Sequence, residues 1–282
     1  MLNTETVSRA WRNRLSELLQ NTQQTPHPGA MPLVIAGHSC GAVYPTAAQI
    51  LRQAFPDNLS NDTFALEPGQ TVEGLNAQLM TIAQRLHTEG CLPKWRDELL
   101  DVWSASTSIG AIERGAVRAL GLRTRAVHLN AWSPSGDLWV ARRALDKATD
   151  PGMWDTLVGG LVGYGEDDDL ALVRESEEEA GLDESMIANR TPLRCVTRMQ
   201  RRLPEGYQSE AVLTSECVLA PHVVPVNQDG EVMTIACLPA SEVSDMLLND
   251  AFTVEASIVI LDALLDRFAP LNSPASSPSP RT

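Results

Sequence analysis

Residues 160–182, GLVGYGEDDDLALVRESEEEAGL, constrain this chain more than any other stretch. Gly160 is followed after five residues by Glu166, and after seven more by Arg174-Glu175-Ser176-Glu177-Glu178-Glu179-Ala180-Gly181-Leu182. Asp167 to Ala180 contains neither glycine nor proline, so the segment predicts a helix, and Gly181 stands where a helix end favours a left-handed residue. At about 100° per residue, Leu172, Val173, Ser176 and Ala180 share an apolar or small face. Glu175, Glu178 and Glu179 share a neighbouring arc at i, i+3 and i+4 spacing. Carboxylates grouped in this way repel one another unless a cation sits among them. Hard oxygen donors suit Mg²⁺, with Mn²⁺ as the alternative, and both ions also bridge phosphates. A charge run is ordinarily a solvated face. Here Gly160, Arg174 and Gly181 in fixed register favour the metal site.

The pattern resembles the signature of the Nudix hydrolases, G-x5-E-x7-R-E-U-x-E-E-x-G-U with U a bulky aliphatic residue. Every fixed letter is present. Leu182 fits an aliphatic position and Ser176 does not, a departure expected to cost packing without touching the ligand letters. The resemblance implies an α/β/α sandwich with a mixed sheet over residues 123–268. A smaller α+β accessory domain over residues 1–122 precedes it, and the Pro/Ser-rich residues 269–282 read as a disordered tail. Trp95–Leu99, Ala126–Asn130, Trp139–Arg143, Pro151–Gly160 and Gln228–Val232 resemble one branch of that family. The branch carries an N-terminal domain of this length and includes the Nudix part of some fungal thiamine pyrophosphokinases. Its members are similar to thiamine-diphosphate phosphatases that prefer oxidised forms of the cofactor.

The resemblance also implies roles. Glu178 and Glu179 ligate the principal Mg²⁺, with the backbone carbonyl of Gly159 nearby. Glu175 binds a further metal or helps deprotonate the attacking water, and Glu166 supports a metal or the helix. Arg174, read as lying on the opposite side of the helix, orients a carboxylate through a bidentate pair. The implied reaction is attack of metal-activated water on a diphosphate phosphorus. The favoured substrate is thiamine diphosphate or an oxidised analogue, cut to the monophosphate and phosphate. The rivals are ADP-ribose or a nucleotide sugar as substrate, and a non-catalytic regulator, which the retained Glu175, Glu178 and Glu179 argue against. Isopentenyl-diphosphate isomerase chemistry needs a placed catalytic cysteine that nothing singles out.

Outside the motif the readings are weaker. His128 and Asn130 alternate with Val127 and Leu129, which puts them on the opposite face of a strand, as substrate contacts or as a structural pair. Arg142 and Arg143 are candidate phosphate ligands, but neighbours on a strand point oppositely, so one at most can serve. Trp139 and Trp154 read as core before they read as stacking platforms. Glu210 and Glu231 are equal candidates for a general base.

The formal charge of −14 disfavours nucleic acid and anionic membrane as partners and agrees with a small-molecule diphosphate handled through a metal. Nothing in the sequence specifies an oligomeric state. The five cysteines are scattered without CxxC spacing, so structural zinc and a disulfide framework are not expected. The first twenty residues read as an amphipathic helix rather than a signal peptide, and no stretch approaches membrane-spanning length; a cytoplasmic setting is the expectation. Gly37-His38-Ser39-Cys40-Gly41 fits the G-x-S-x-G nucleophile elbow. That motif needs a helix to open at once behind the serine, whereas Ala42-Val43-Tyr44 reads as a second strand before Pro45 starts a helix.

Overall fold

Glycine and proline divide the N-terminal third into short elements. The computed structural model describes residues 4–67, 71–92, 94–147, 149–228 and 230–269. Helix α1 (Thr4–Asn21) precedes a hairpin of β1 (Met31–Ile35) and β2 (His38–Val43). The hairpin turns at Ala36 and Gly37, both at positive φ. Helix α2 (Pro45–Ala54) opens on a proline, whose missing N–H has no intrahelical partner to lose there. Strands β3 (Leu59–Ser60) and β4 (Thr63–Leu66) lead to α3 (Val72–Thr88), where the Thr71 side chain accepts from Gly74 N at 3.1 Å. A second hairpin, β5 (Leu99–Ser104) and β6 (Thr107–Glu113), ends at the short α4 (Val117–Leu120). The first sheet has the order β2-β1-β4-β3, parallel only at β1–β4. Its core gathers Leu33, Phe64, Leu79, Leu100 and Ile112. Ser39 lies in the β1–β2 hairpin, and β2 runs on to Val43 before α2 begins, so no nucleophile elbow forms.

The second half is one seven-stranded mixed sheet. It uses β7 (Arg123–Trp132), β8 (Leu138–Arg143), β9 (Trp154–Thr156) and β10 (Val158–Leu161). Helix α5 (Asp168–Ala180) follows, then β11 (Arg194–Leu203), β12 (Gly206–Val218) and β13 (Val232–Leu238). Helices α6 (Ala240–Leu248) and α7 (Val254–Phe268) close the described chain. The strand path is β11-β12-β7-β8-β13, with β10 on β7 and β9 on β8. Only β12–β7 is parallel.

Alternation along β7 sorts its two faces. Val127, Leu129 and Ala131 pack with Ala171, Leu172 and Ala180 of α5. Trp132 on the other face shares a core with Val140, Val259 and Leu264, and this second core also takes Trp11 and Leu18 of α1. Trp11 Nε1 donates to Ser244 Oγ of α6 at 2.8 Å. A division at residue 122 assigns α1 to the N-terminal domain; its packing puts it with α6 and α7. Among the described residues no helix is long and apolar enough to cross a membrane. Of the expected tail, residues 270–282 lie outside the described residues, as does Asp229.

Candidate active site

Helix α5 starts where Asp167 Oδ1 accepts from Asp169 N at 2.9 Å and stops at Gly181, φ 63°. Between these caps Ala171, Leu172, Ser176 and Ala180 are buried against the sheet. Ser176 is fully enclosed, and its Oγ donates to Leu172 O at 2.7 Å. The hydroxyl is therefore satisfied inside its own helix, and the departure from an aliphatic residue leaves no orphan polar group.

The carboxylates are organised by Arg174. Its Nε and Nη2 donate to the two oxygens of Glu166 at 2.8 and 2.9 Å, the bidentate pair expected. Its Nη1 also donates to Glu175 at 2.8 Å and to Glu178 at 3.1 Å. Arg174 is thus on the same side as the carboxylates, not opposite them, because i, i+4 spacing brings residues 174 and 178 together. Arg174 Nη2 donates further to Leu161 O, and Glu166 Oε2 accepts from Gly163 N at 2.9 Å. Hydrogen bonding from Arg174 outweighs partial burial and holds Glu166 below the usual carboxylate range, while the Arg174 guanidinium is correspondingly harder to deprotonate.

Glu175 and Glu179 behave differently. Burial pushes the Glu175 carboxyl up despite Arg174 beside it. Burial pushes Glu179 well up, against the pull of the Gly159 N–H, which donates to Glu179 Oε2 at 2.9 Å. Gly159 thus meets Glu179 through its amide. Gly160 has a separate reason to be glycine: a Cβ there would fall 2.0 Å from the Glu175 carboxyl carbon.

The donor set fits a hard divalent cation. Glu166, Glu175 and Glu178 share the Arg174 guanidinium and Glu179 meets the Gly159 amide, which leaves negative charge in excess, and Glu175 and Glu179 have raised proton affinity. Among the described residues no three ligands already surround one point. Glu178, with its side chain 54% exposed, is turned toward Arg174 and has the freedom to reorient.

The outlying candidates scatter. His128 and Asn130 are buried on the α7 face of β7, and His128 Nδ1 pairs with Thr156 Oγ1 at 3.0 Å. A Cβ on Gly159 would lie 3.0 Å from that nitrogen, so His128 sits directly behind the strand that meets Glu179. Glu210 is on the same α7 face, accepting from Thr124 Oγ1 at 2.8 Å and from Gln208 Nε2 at 2.9 Å. The sheet separates it from α5. Glu231 is beside Lys147; burial opposes its charge, but Lys147, Arg114 and Arg96 outweigh it and hold the carboxyl low. Arg143 is tied to Asp155 at 2.9 Å and to Thr149 O. Arg142 is exposed and donates to Gly152 O. Trp154 packs against the second core and Trp139 against the third, where α5 meets the sheet. Lys147 and Arg114 carry no signal in the sequence, and Arg96 stands out only within the Trp95–Leu99 resemblance, because no spacing links them to the motif. Two shallow surface clefts, one along Leu15, Leu19 and Leu265 and one beside Trp132 and Arg267, contain none of the α5 carboxylates.

Residues 122–258 match the family described as NUDIX domain, and residues 14–124 match the domain of unknown function DUF4743. The chain is 28% identical over 201 residues to Nudix hydrolase 20, chloroplastic, of Arabidopsis thaliana, covering 69% of this chain and 54% of that protein. It is 31% identical over 185 residues to Nudix hydrolase 24, chloroplastic, of the same plant, covering 64% and 50%. The chain therefore spans about half the length of these relatives. A solved structure from Deinococcus radiodurans shares 20% identity over 59% of this chain and 98% of its own, with a TM-score of 0.46.

Proposed function

We propose, for a chain whose residues 122–258 match the NUDIX domain family and whose residues 14–124 match DUF4743, a Mg²⁺-dependent hydrolase of a diphosphate bond in a small molecule. The observation that carries this reading is the carboxylate cluster of α5, with Glu175 recessed against Gly160. Glu178 and Glu179 would hold the cation, which leaves Glu175 free to act as the base. When bound, the cation neutralises phosphate charge and lowers the proton affinity of a nearby water. The Glu166–Arg174 pair fixes the loop ahead of α5 against the helix. Glu175, with its raised proton affinity, is suited to take the proton of the attacking water. The water oxygen bonds to phosphorus, and the bridging P–O bond breaks with its electron pair on the departing phosphate.

The proposed substrate is thiamine diphosphate or an oxidised analogue, giving the monophosphate and phosphate. Its support is the resemblance of Ala126–Asn130 and Pro151–Gly160. His128 Nε2, Asn130 Oδ1, Gln208 Oε1 and Thr214 Oγ1 are buried on the far side of β7 without partners. Buried polar atoms of this kind call for ordered water, and the sheet keeps them out of the α5 site.

The test is phosphate release with Mg²⁺ from thiamine diphosphate, its oxidised analogues, ADP-ribose and a nucleotide sugar. Glu178→Gln is expected to lower turnover by about a hundredfold or more, since a ligand charge is lost at the transition state. Turnover of ADP-ribose alone would keep the site and remove the thiamine assignment. No turnover of any compound by the folded protein would overturn the hydrolase reading and favour a ligand-binding regulator.

A further inference from the structure

We propose that the N-terminal domain completes this site: Arg114 and Arg96 form an anion-binding rim that holds the terminal phosphate of the diphosphate opposite the α5 carboxylates. The inference rests on reading α5 as the reacting centre.

Its basis is how the β5–β6 hairpin is joined to the loop ahead of α5. Tyr164 N donates to Leu99 O at 2.8 Å, and Gly165 N to Asp101 Oδ1 at 3.3 Å. Arg125 pairs with Asp101 at 3.5 Å and with Asp168 at 2.6 Å, and lies 4.5 Å above the Trp103 ring. Leu161, whose carbonyl accepts from Arg174, packs on the first core. The two domains therefore share the loop that positions Glu166.

The arginines stand at the end of that hairpin. Leu99 of β5 is the register partner of Glu113 of β6, so Arg114 follows directly on the strand paired with the one that touches the loop. Glu113 is buried, and its Oε1 accepts from Arg96 N at 2.7 Å and from Gly115 N at 3.1 Å. Arg114 N donates to Glu98 O at 2.8 Å. A Cβ on Gly115 would meet Lys94 O at 2.4 Å, so only glycine lets the two segments approach this closely. One buried carboxylate thus fixes the backbone that presents both arginines. Arg114 favours the charged forms of both Glu175 and Glu231, Lys147 from the β8–β9 loop those of both Glu179 and Glu231, and Arg96 that of Glu231 alone.

A chain of charge −14 needs local cations to hold a diphosphate. Guanidinium forks match phosphate oxygens in pairs. Arg114 Nη1 is paired with Glu98 at 2.6 Å, each side chain about one third exposed, a carboxylate that a phosphate can replace.

The experiment is calorimetric binding of imidodiphosphate, the non-hydrolysable probe, to the full chain with Mg²⁺ present. Arg114→Ala is expected to weaken binding by about tenfold, Arg114→Lys by less, and Arg96→Ala by a few fold. Glu98→Ala, which frees Arg114, should bind as tightly as wild type or tighter. A purely structural ion pair would make Glu98→Ala and Arg114→Ala fail together, and that result, or unchanged binding in Arg114→Ala, would overturn the proposal. If Arg114→Ala is too unstable to assay, Arg114→Lys and Arg96→Ala carry the test. Imidodiphosphate binding that depends on Arg114 in a protein that hydrolyses nothing would leave the rim standing and remove the hydrolase reading. Hydrolysis with Arg114-independent binding would do the reverse.

Discussion

Gly160 shows how much a single motif letter can encode. A helix-period reading finds the carboxylates but gives no reason for a glycine ahead of them. That reason appears only when β10 is folded back beneath α5 and the Glu175 carboxyl occupies the space a Cβ would need, 2.0 Å away. Gly160→Ala must displace either Glu175 or the strand. Overpacking of this kind costs about 1–3 kcal/mol, and hydrolysis should fall by about a hundredfold, as a misplaced reacting group can cost. Thermal melting and turnover of the same preparation check both. A folded Gly160→Ala enzyme with wild-type turnover would show that Glu175 has no catalytic place. Arg174 carries the opposite lesson: a bidentate pair with some carboxylate was expected, but neither the partner, Glu166, nor its side of the helix was legible. The arginine is long enough to bond Glu175 next to it and Glu178 one turn on.

At the scale of elements, α5 with its Asp167 start and Gly181 stop was readable from sequence, because caps are local. The polar seam behind it was not. Thr124, His128 and Asn130 belong to β7, whereas Gln208, Glu210 and Thr214 belong to β12. Only the parallel register, which sets Thr214 beside His128 and Glu210 beside Thr124, brings them together. Glu255 of α7 closes the seam, accepting from Gln208 at 3.0 Å and pairing with Arg201 at 3.1 Å. Burial, then the charge of Glu255, push the Glu210 carboxyl up despite its bond from Thr124. A folded pKa above the unfolded value means that the native state binds the proton more tightly. The stabilisation is therefore complete below the ordinary glutamate range and is lost as pH rises through the folded pKa. Glu210→Gln removes this dependence. Its melting temperature relative to wild type should climb as pH rises above the ordinary glutamate range, measured across a buffer series. Parallel curves for the two proteins would show that Glu210 is ionised without penalty.

For the whole molecule, the telling element is α1. Its amphipathic spacing was clear from sequence, but not which core its apolar face would cover, since that depends on α6 and α7 more than 200 positions later in the chain. Trp11 is 7% exposed in the second core. The segment behind α1 then runs beside β11, with Gln24 N donating to Gln200 O at 2.8 Å and Tyr207 Oη to Gln24 O at 2.7 Å. The first sheet is consequently held to the second at both ends, through α1 on one side and through α4 and β7 on the other. This double attachment lets a separate core present Arg114 at a fixed place. Trp11→Ala is expected to cost about 3–5 kcal/mol, as for other large buried aromatics, and the loss should be unequal. Amides of α6 and α7 should exchange hydrogen faster, while those of α3, packed on the first core, keep most of their protection. Equal loss in α3 would mean that the two cores unfold as one unit.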